Sequence, residues 1–519
     1  MAGRAAQEPG SPDWMSESGE PGPVAAPRFP VMASVTAATR TLDHDACSRA
    51  VVARDPRFDG VFFVGISTTR IYCRPVCPAR VSYPERRRFF ESAAAAERDG
   101  FRPCLRCRPE LAPGRALCDA VPRVARAAAM RIAAGALNGQ GVGDLAHELG
   151  VGERHLRRAL ERELGVSPVE LAQTHRLLLA KCLLTDTALP VTRVAFASGF
   201  QSLRRFNTVF QERYRMSPSS LRRRTRSSPR LELTAGLPGD WVRLSLPFRP
   251  PLAWTELIAS GARDTPPGVG VVEGARYGRT VALQGCRGAV FLETAEATAH
   301  VTVHLTVALL PVLMPLLARL RQMLDLDAEP AVIDAHLAEN GLASLVALHP
   351  GLRMAGAFDG FEVALRELLG PELLGTVSHE LGERLDTEIA ALDRLAPTAE
   401  RVLAGNVAAL QRLGVPSRRA EAVVAVARGV VDGTIRLEPG AQVGATLRAL
   451  TRIPGLSRNT GAAILVRALG WPDAFPSTDA TLQRAAGVTS ARTLLQAAER
   501  WRPWRSYAAA HLSLSVMRP

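Results

Sequence analysis

Thr68-Thr69-Arg70-Ile71-Tyr72-Cys73-Arg74-Pro75-Val76-Cys77-Pro78-Ala79-Arg80, with Phe101-Arg102-Pro103-Cys104-Leu105-Arg106-Cys107-Arg108-Pro109 further on, decides how this chain is read. Three residues lie between Cys73 and Cys77, two between Cys104 and Cys107, and 26 between the pairs. That is the layout of two knuckles closing on one tetrahedral Zn²⁺. Disulfides are the alternative. The other four cysteines, Cys47, Cys118, Cys182 and Cys286, stand singly, and no secretory leader precedes them, so an oxidised framework is not expected.

Outward from this module, 519 residues set a prior of three or four domains at roughly 100 to 200 residues each. Hydrophobic residues make up 47%, enough for real cores, and 64 basic against 50 acidic residues give a net charge of +14. The excess is carried mainly by Arg, whose planar guanidinium suits bidentate phosphate contacts, so nucleic acid is the expected partner. The only apolar run suggesting a membrane span, Leu305 to Leu317, falls short of about 20 residues and holds Pro311 and Pro315. No membrane association and a cytoplasmic location are expected. Residues 1–38 are rich in Pro, Gly, Ser and Ala without apolar periodicity and read as a disordered tail, with Met32 an alternative start. The remaining segments are a cysteine module over 39–115, an Arg-rich helical region over 120–226 that ends in the linker Thr225-Arg-Ser-Ser-Pro229, an alternating β region over 231–315, and amphipathic helices over 316–519.

Four thiolates around Zn²⁺ carry a formal charge of −2, so a ligand sulfur stays deprotonated and nucleophilic at neutral pH. Such a sulfur can take a methyl group. Arg74, Arg80, Arg102, Arg106 and Arg108 would hold a DNA backbone beside it, and methylation to a neutral thioether would weaken repulsion of phosphate. A purely structural zinc is the alternative. Phe58-Asp59-Gly60, Thr68-Thr69, Tyr72-Cys73-Arg74-Pro75, Cys77 and Phe101 to Pro109 closely resemble the amino-terminal domain of the Ada family of adaptive-response proteins. The resemblance, over 43–112, implies that Cys73 irreversibly accepts a methyl group from DNA methylphosphotriesters, with Cys77, Cys104 and Cys107 as its fellow ligands. It also implies DNA contacts at Thr69, Arg74, Arg80 and Arg106. Arg70 stands where that family usually has Gly.

Two helix-turn-helix units follow. Val142 to Val151 gives a short helix and a turn at Gly150, then Gly152 to Leu164 a helix bearing Arg154, Arg157 and Arg158. Val191 to Phe200 leads in the same way to a helix at Ser202 to Tyr214 bearing Arg204, Arg205 and Asn207. A helix after a Gly-containing turn, basic on one face, is how such motifs enter a major groove; two ordinary hairpins with solvated Arg faces are the alternative. Each unit is followed by Ser-Pro, and Gly199-Phe200-Gln201-Ser202 with Phe206 resembles the AraC-type DNA-binding domain. Transcription activation is implied, with RNA polymerase as a further partner.

A regulator does not need the remaining 290 or so residues. Ile453-Pro-Gly-Leu-Ser-Arg-Asn-Thr460 reads as a hairpin whose amides can hold a DNA phosphate, with Gly455, Ser457 and Thr460 at the contact. Asp479 follows in Phe-Pro-Ser-Thr-Asp-Ala. It reads either as a helix cap or as a carboxylate that stabilises the cationic sugar of a departing base. Pro350 to Glu362, the hairpin, Asp479, Trp501 to Ala508 and His511 resemble the AlkA-type 3-methyladenine glycosylases of the helix-hairpin-helix superfamily, over about 235–515. Asp479 then falls on the catalytic aspartate, and Asn459, where lyase-competent relatives carry lysine, implies a monofunctional enzyme. The chain departs from that family at Leu369-Gly-Pro-Glu, in place of a Gln-Gln-Val-Ser wedge, and at Asn459, Ser457 and Ser513.

The fold class expected is therefore multidomain α+β: a small zinc α/β module, an all-α double helix-turn-helix domain, a small antiparallel β-domain and an all-α helix-hairpin-helix glycosylase domain. A monomeric sensor, activator and base-excision glycosylase with one Zn²⁺ is expected to act on double-stranded DNA. The alternative is a sensor and activator whose glycosylase-like half only binds DNA. No Pro-Cys-His-Arg run is present, so repair of O6-methylguanine is not expected.

Overall fold

The computed structural model describes residues 43–114, 123–225, 241–295, 298–438 and 441–517; the tail expected over 1–38, Cys118 and most of the linker Thr225 to Pro229 lie outside them. The protein is multidomain α+β. Its first sheet has the order β3–β1–β2–β4, with β1 at Phe63–Ile66, β2 at Ile71–Cys73, β3 at Arg87–Phe90 and β4 at Arg102–Pro103. β1 and β2 form an antiparallel hairpin pairing Val64 with Cys73, while β4 runs parallel to β2 and pairs Pro103 with Tyr72. Cys73 thus ends one strand where Cys104 leaves its neighbour, and sheet register alone brings the two knuckles together.

The helical region begins with Arg123–Ala133 and then presents the two expected units. Val142–Glu148 and Glu153–Leu164 flank Gly150 at φ 68°, and Val191–Ala197 and Leu203–Tyr214 flank Gly199 at φ 88°. Glycine is used at both turns because an L side chain there meets the left-handed penalty of roughly 1–2 kcal/mol. A long bridging helix, Pro168–Asp186, joins the units; Ser167 and Glu170 cap it reciprocally, and Pro168 occupies its first turn. Phe206, Val209, Phe210 and Tyr214 are buried on one side of the second unit's helix, which leaves its basic side outward.

The second sheet is antiparallel throughout, in the order β5–β9–β8–β7–β6, with β5 at Trp241–Pro247, β6 at Gly270–Glu273, β7 at Arg276–Leu283, β8 at Cys286–Thr294 and β9 at His300–Thr306. Buried Arg279 of β7 fastens it to the following helices by pairing with Glu362 at 2.9 Å and lying 4.1 Å over the Phe358 ring. Glu362, part of the glycosylase-like motif, is therefore an anchor between the sheet and the helices.

Leu305 to Leu317, read as too short and Pro-broken to span a membrane, is not the only apolar stretch of that kind. The run Leu305 to Leu317 is no single helix, since it divides between β9, the 3₁₀ turn Val307–Val312 and the helix Leu313–Met323. A different helical stretch, Pro330–Leu348, is long and apolar enough to cross a membrane by length and composition alone. Residue periodicity hid it because Gly341, at φ 93°, breaks it in the middle. Only one side of it, Ile333, Leu337, Leu342 and Val346, joins a buried cluster with Leu494, Trp501 and Leu512, while Val332 and Leu348 are exposed.

The last region packs Gly360–Leu381, Ala399–Arg412, Ser417–Val431, Val443–Thr451 and Arg458–Leu469 around one core. Ala480–Ala485, Ala491–Ala498 and Arg505–Met517 close the chain. Gly360–Leu381 is interrupted where the wedge is absent: Gly370 has φ 76° and Pro371 follows it.

Candidate metal centre and nucleic-acid interfaces

The Sγ atoms of Cys73, Cys77, Cys104 and Cys107 all lie within 4.8 Å of one another, near enough to share one metal ion. Cys73, Cys104 and Cys107 are buried, and Cys77 is half-buried. The backbone N–H of Arg74 points at Cys107 Sγ and that of Arg106 at Cys104 Sγ, each at 3.4 Å, the donor arrangement thiolates need. Hydrogen bonding with Cys104 and then Cys107 and Cys77, together with burial, pushes the Cys73 thiol well up when no cation shares the cluster. Four soft donors that cannot all be anionic by themselves fit a divalent metal, and the site is a Zn²⁺ site.

Around it the expected contact residues divide. Thr69, Arg80 and Arg106 are exposed. Arg74 turns inward: its Nε donates to Asp59 at 2.8 Å, a second N–H reaches the same carboxylate, and Nη1 donates to the Cys107 carbonyl at 3.2 Å. Arg70 adopts φ 54°, the conformation that glycine favours, and its guanidinium lies 4.4 Å over Phe101 and donates to the Asp99 carbonyl at 2.5 Å. The turn survives without glycine because those contacts oppose its strain.

Sequence reading missed a second layer that binds the zinc module to the bridging helix. Lys181, the only lysine in the chain, is buried and donates to the Cys104 carbonyl at 3.1 Å and to Glu110 at 2.5 Å. Arg108, next to Cys107, pairs bidentately with Asp186 at 2.7 Å for each bond. Glu97 is buried and accepts from Tyr72 at 3.0 Å and Thr174 at 2.8 Å, with Arg213 3.3 Å away. Burial pushes its carboxyl up against the pull of Arg213. None of these partners is near in sequence, so no local pattern marks them.

On the helix-turn-helix units Arg154, Arg158, Arg204, Arg205 and Asn207 are exposed, and Arg157 pairs with Glu153 at 2.6 Å along its own helix. In the last region Gly455 turns at φ 88°, and Ser457 caps the next helix by accepting from the Thr460 N–H at 3.0 Å. An open cavity of 560 Å³ lies against this hairpin, lined by Leu368, Pro416, Arg418, Arg419, Ala422 and Gly455. The sequence reading did not single out the two arginines. Asp479 is exposed and caps Ala480–Ala485, accepting from Thr481 N–H at 2.7 Å and Leu482 N–H at 3.3 Å. The capping reading holds geometrically, and the acceptor lone pairs it leaves free face solvent.

A four-cysteine metal module, paired helix-turn-helix units and a helix-hairpin-helix region behind a small sheet define a zinc-containing DNA-binding protein joined to a DNA glycosylase. Residues 46–110 match the family model described as the metal binding domain of Ada, 145–224 a helix-turn-helix domain, and 243–359 the AlkA N-terminal domain. The probable bifunctional transcriptional activator/DNA repair enzyme AlkA of Mycobacterium tuberculosis is 35% identical over 490 residues, which cover 92% of this chain and 97% of that protein. The DNA-3-methyladenine glycosylase 2 of Escherichia coli is 32% identical over 277 residues, 52% of this chain and 95% of that protein. Among solved structures, a 3-methyladenine DNA-glycosylase from Archaeoglobus fulgidus aligns with 53% of this chain and 98% of its own at a TM-score of 0.45 and 19% identity. The chain belongs to the family of bifunctional transcriptional activator/DNA repair enzymes of the AlkA type. DNA is its partner.

Proposed function

We propose that this protein reads alkylation damage at Cys73, activates transcription of repair genes, and excises alkylated bases at Asp479. The zinc half rests on one observation: the first cysteine of the metal cluster ends a strand beside three further sulfurs, in a module whose Thr69, Arg80 and Arg106 are exposed. Bound Zn²⁺ supplies the charge that keeps the cysteines deprotonated. The Cys73 sulfur attacks the methyl carbon of a methylphosphotriester, the C–O bond breaks, and the DNA leaves as an ordinary phosphodiester anion. One methyl is taken per chain, which makes the step stoichiometric. The accompanying move from −2 to −1 favours the phosphate backbone, and Arg154, Arg157, Arg158, Arg204, Arg205 and Asn207 read the promoter for RNA polymerase.

In the second half, Gly455, Ser457 and Thr460 hold the backbone while the Asp479 carboxylate stabilises the sugar cation as the N-glycosidic bond breaks, and water completes the hydrolysis. The substrate class is 3-methyladenine and related cationic purines. Asn459 offers no amine, so no strand cleavage by Schiff base accompanies it. A second reading, a DNA-binding module without base release, is favoured by the Gly370-Pro371 break where a wedge is expected. A monomer in the bacterial cytoplasm, with domains over 39–115, 120–226, 231–315 and 316–519, completes the proposal. Peptide mass mapping after incubation with methylphosphotriester DNA tests the sensor directly: Cys73 gains about 14 Da, and a chain that gains nothing there, or gains it elsewhere, overturns the assignment.

A further inference from the structure

The segments that carry Cys73, Cys104 and Cys107 are tied by polar contacts to the helix-turn-helix region. Tyr72, directly before Cys73 and fully buried, donates to Glu97, which also accepts from Thr174 of the bridging helix and faces Arg213 in the last turn of Leu203–Tyr214. The Cys104 carbonyl accepts from Lys181, and Arg108 beside Cys107 grips Asp186. A free module on a linker would leave its surface polar and solvated. Here a fully buried carboxylate and a buried ammonium depend on partners across the junction, and losing one partner leaves a charge unpaired in a place with little water.

We infer that Tyr72, Glu97 and Arg213 are positioning residues that transmit the state of the metal centre to the second recognition helix. A thioether at Cys73 would be a neutral, weaker ligand for a metal held by the four sulfurs, and the end of β2 would be free to relax away from the other three. Tyr72 is the next residue on that strand, so its hydroxyl shifts on Glu97. Glu97 cannot follow without disturbing Arg213, because Thr174 holds its Oε2 at 2.8 Å. Promoter recognition is therefore altered through the helix that carries Arg204, Arg205 and Asn207, beyond the change in charge at the zinc itself. The route is contiguous from Cys73 through Tyr72 and Glu97 to Arg213, as an effect carried by packed polar groups requires.

The inference rests on Cys73 being the methyl acceptor, and the test separates the two. Amide hydrogen exchange across 203–214 is measured on the full chain before and after methyl transfer, with mass mapping of Cys73 in the same sample. In the wild type, exchange of the last-turn amides changes by at least about threefold on methylation; in Tyr72→Phe and Arg213→Met it changes by less than about 1.5-fold, with zinc content and methyl uptake retained. Arg213→Met lies away from the metal, so it serves if Tyr72→Phe folds poorly. Equal responses in wild type and variants, or none in the wild type, overturn the inference. If Cys73 takes up no methyl, the acceptor reading fails by itself. Zinc removal by a chelator then replaces methylation, with the same two outcomes deciding the coupling.

Discussion

Replacing Lys181 by methionine probes the junction most sharply. The ammonium and the Glu110 carboxylate are both 2% exposed and 2.5 Å apart, and the ammonium also satisfies the Cys104 carbonyl at 3.1 Å. Breaking a buried pair from one side costs about 3–5 kcal/mol because the remaining charge is stranded. Arg108 Nε stays 2.9 Å from Glu110, so the expected loss is smaller, about 2–4 kcal/mol. Glu110→Gln in the same chain removes the stranded charge, and a coupling energy of roughly 1–3 kcal/mol between the two sites follows. Lys181→Arg does not restore the wild type, since a planar guanidinium overfills a site built for a compact ammonium, at about 1–3 kcal/mol. Urea titration followed by zinc release to a chromogenic chelator reads the module's own transition. A Lys181→Met midpoint equivalent to less than about 0.5 kcal/mol of loss, or additive single variants, would show that Lys181 and Glu110 do not depend on each other across the junction.

Arg70→Ala is expected to destabilise the zinc module by about 1 kcal/mol, because it keeps the left-handed backbone and loses the stack on Phe101, whereas Arg70→Gly stays within about 0.5 kcal/mol of wild type; urea midpoints check both. Asp479→Asn keeps a good N-cap and holds stability within about 0.5 kcal/mol, while Asp479→Ala costs about 1 kcal/mol, so thermal unfolding of the two variants separates capping from chemistry. Burial pushes the Asp325 carboxyl up to about 6, against the pull of Arg353 and its Tyr507 and Met354 hydrogen bonds. A folded pKa above the unfolded value adds stability that is full below about pH 4 and lost as pH rises through 6, by up to about 3 kcal/mol. Buried His511, lowered to about 4 by desolvation, works in the opposite sense, its contribution fading as pH falls from 6.5. Asp325→Asn should therefore make the loss of stability from pH 6.5 to 4 steeper than in wild type; an unchanged profile in urea melts would contradict this.

The zinc cysteines were legible because knuckle spacing is a local pattern, and the helix-turn-helix units because each Gly turn and Ser-Pro start is local too. Fold class and partner followed from the same signals. What escaped the sequence depends on residues distant from one another. Lys181 sits in an apolar helix with nothing nearby to mark it as the partner of Glu110, 71 residues earlier. Glu362 looks like any motif residue until Arg279, 83 residues away, is found against it. Arg74 sits in a basic run and was expected at phosphate; Asp59, 15 residues before it, takes up its guanidinium. The break at Gly370 was visible only as an odd Gly-Pro, while Arg418 and Arg419 gained meaning once Gly455 was placed against them.

One chain is proposed both to sense alkylation and to remove alkylated bases. Release of free 3-methyladenine and 7-methylguanine from methylated duplex DNA, by wild type and Asp479→Asn at equal zinc content, separates this from a chain that only binds DNA. Release by the wild type and none by Asp479→Asn is expected; no release from either, or equal release from both, would rule out base excision at Asp479.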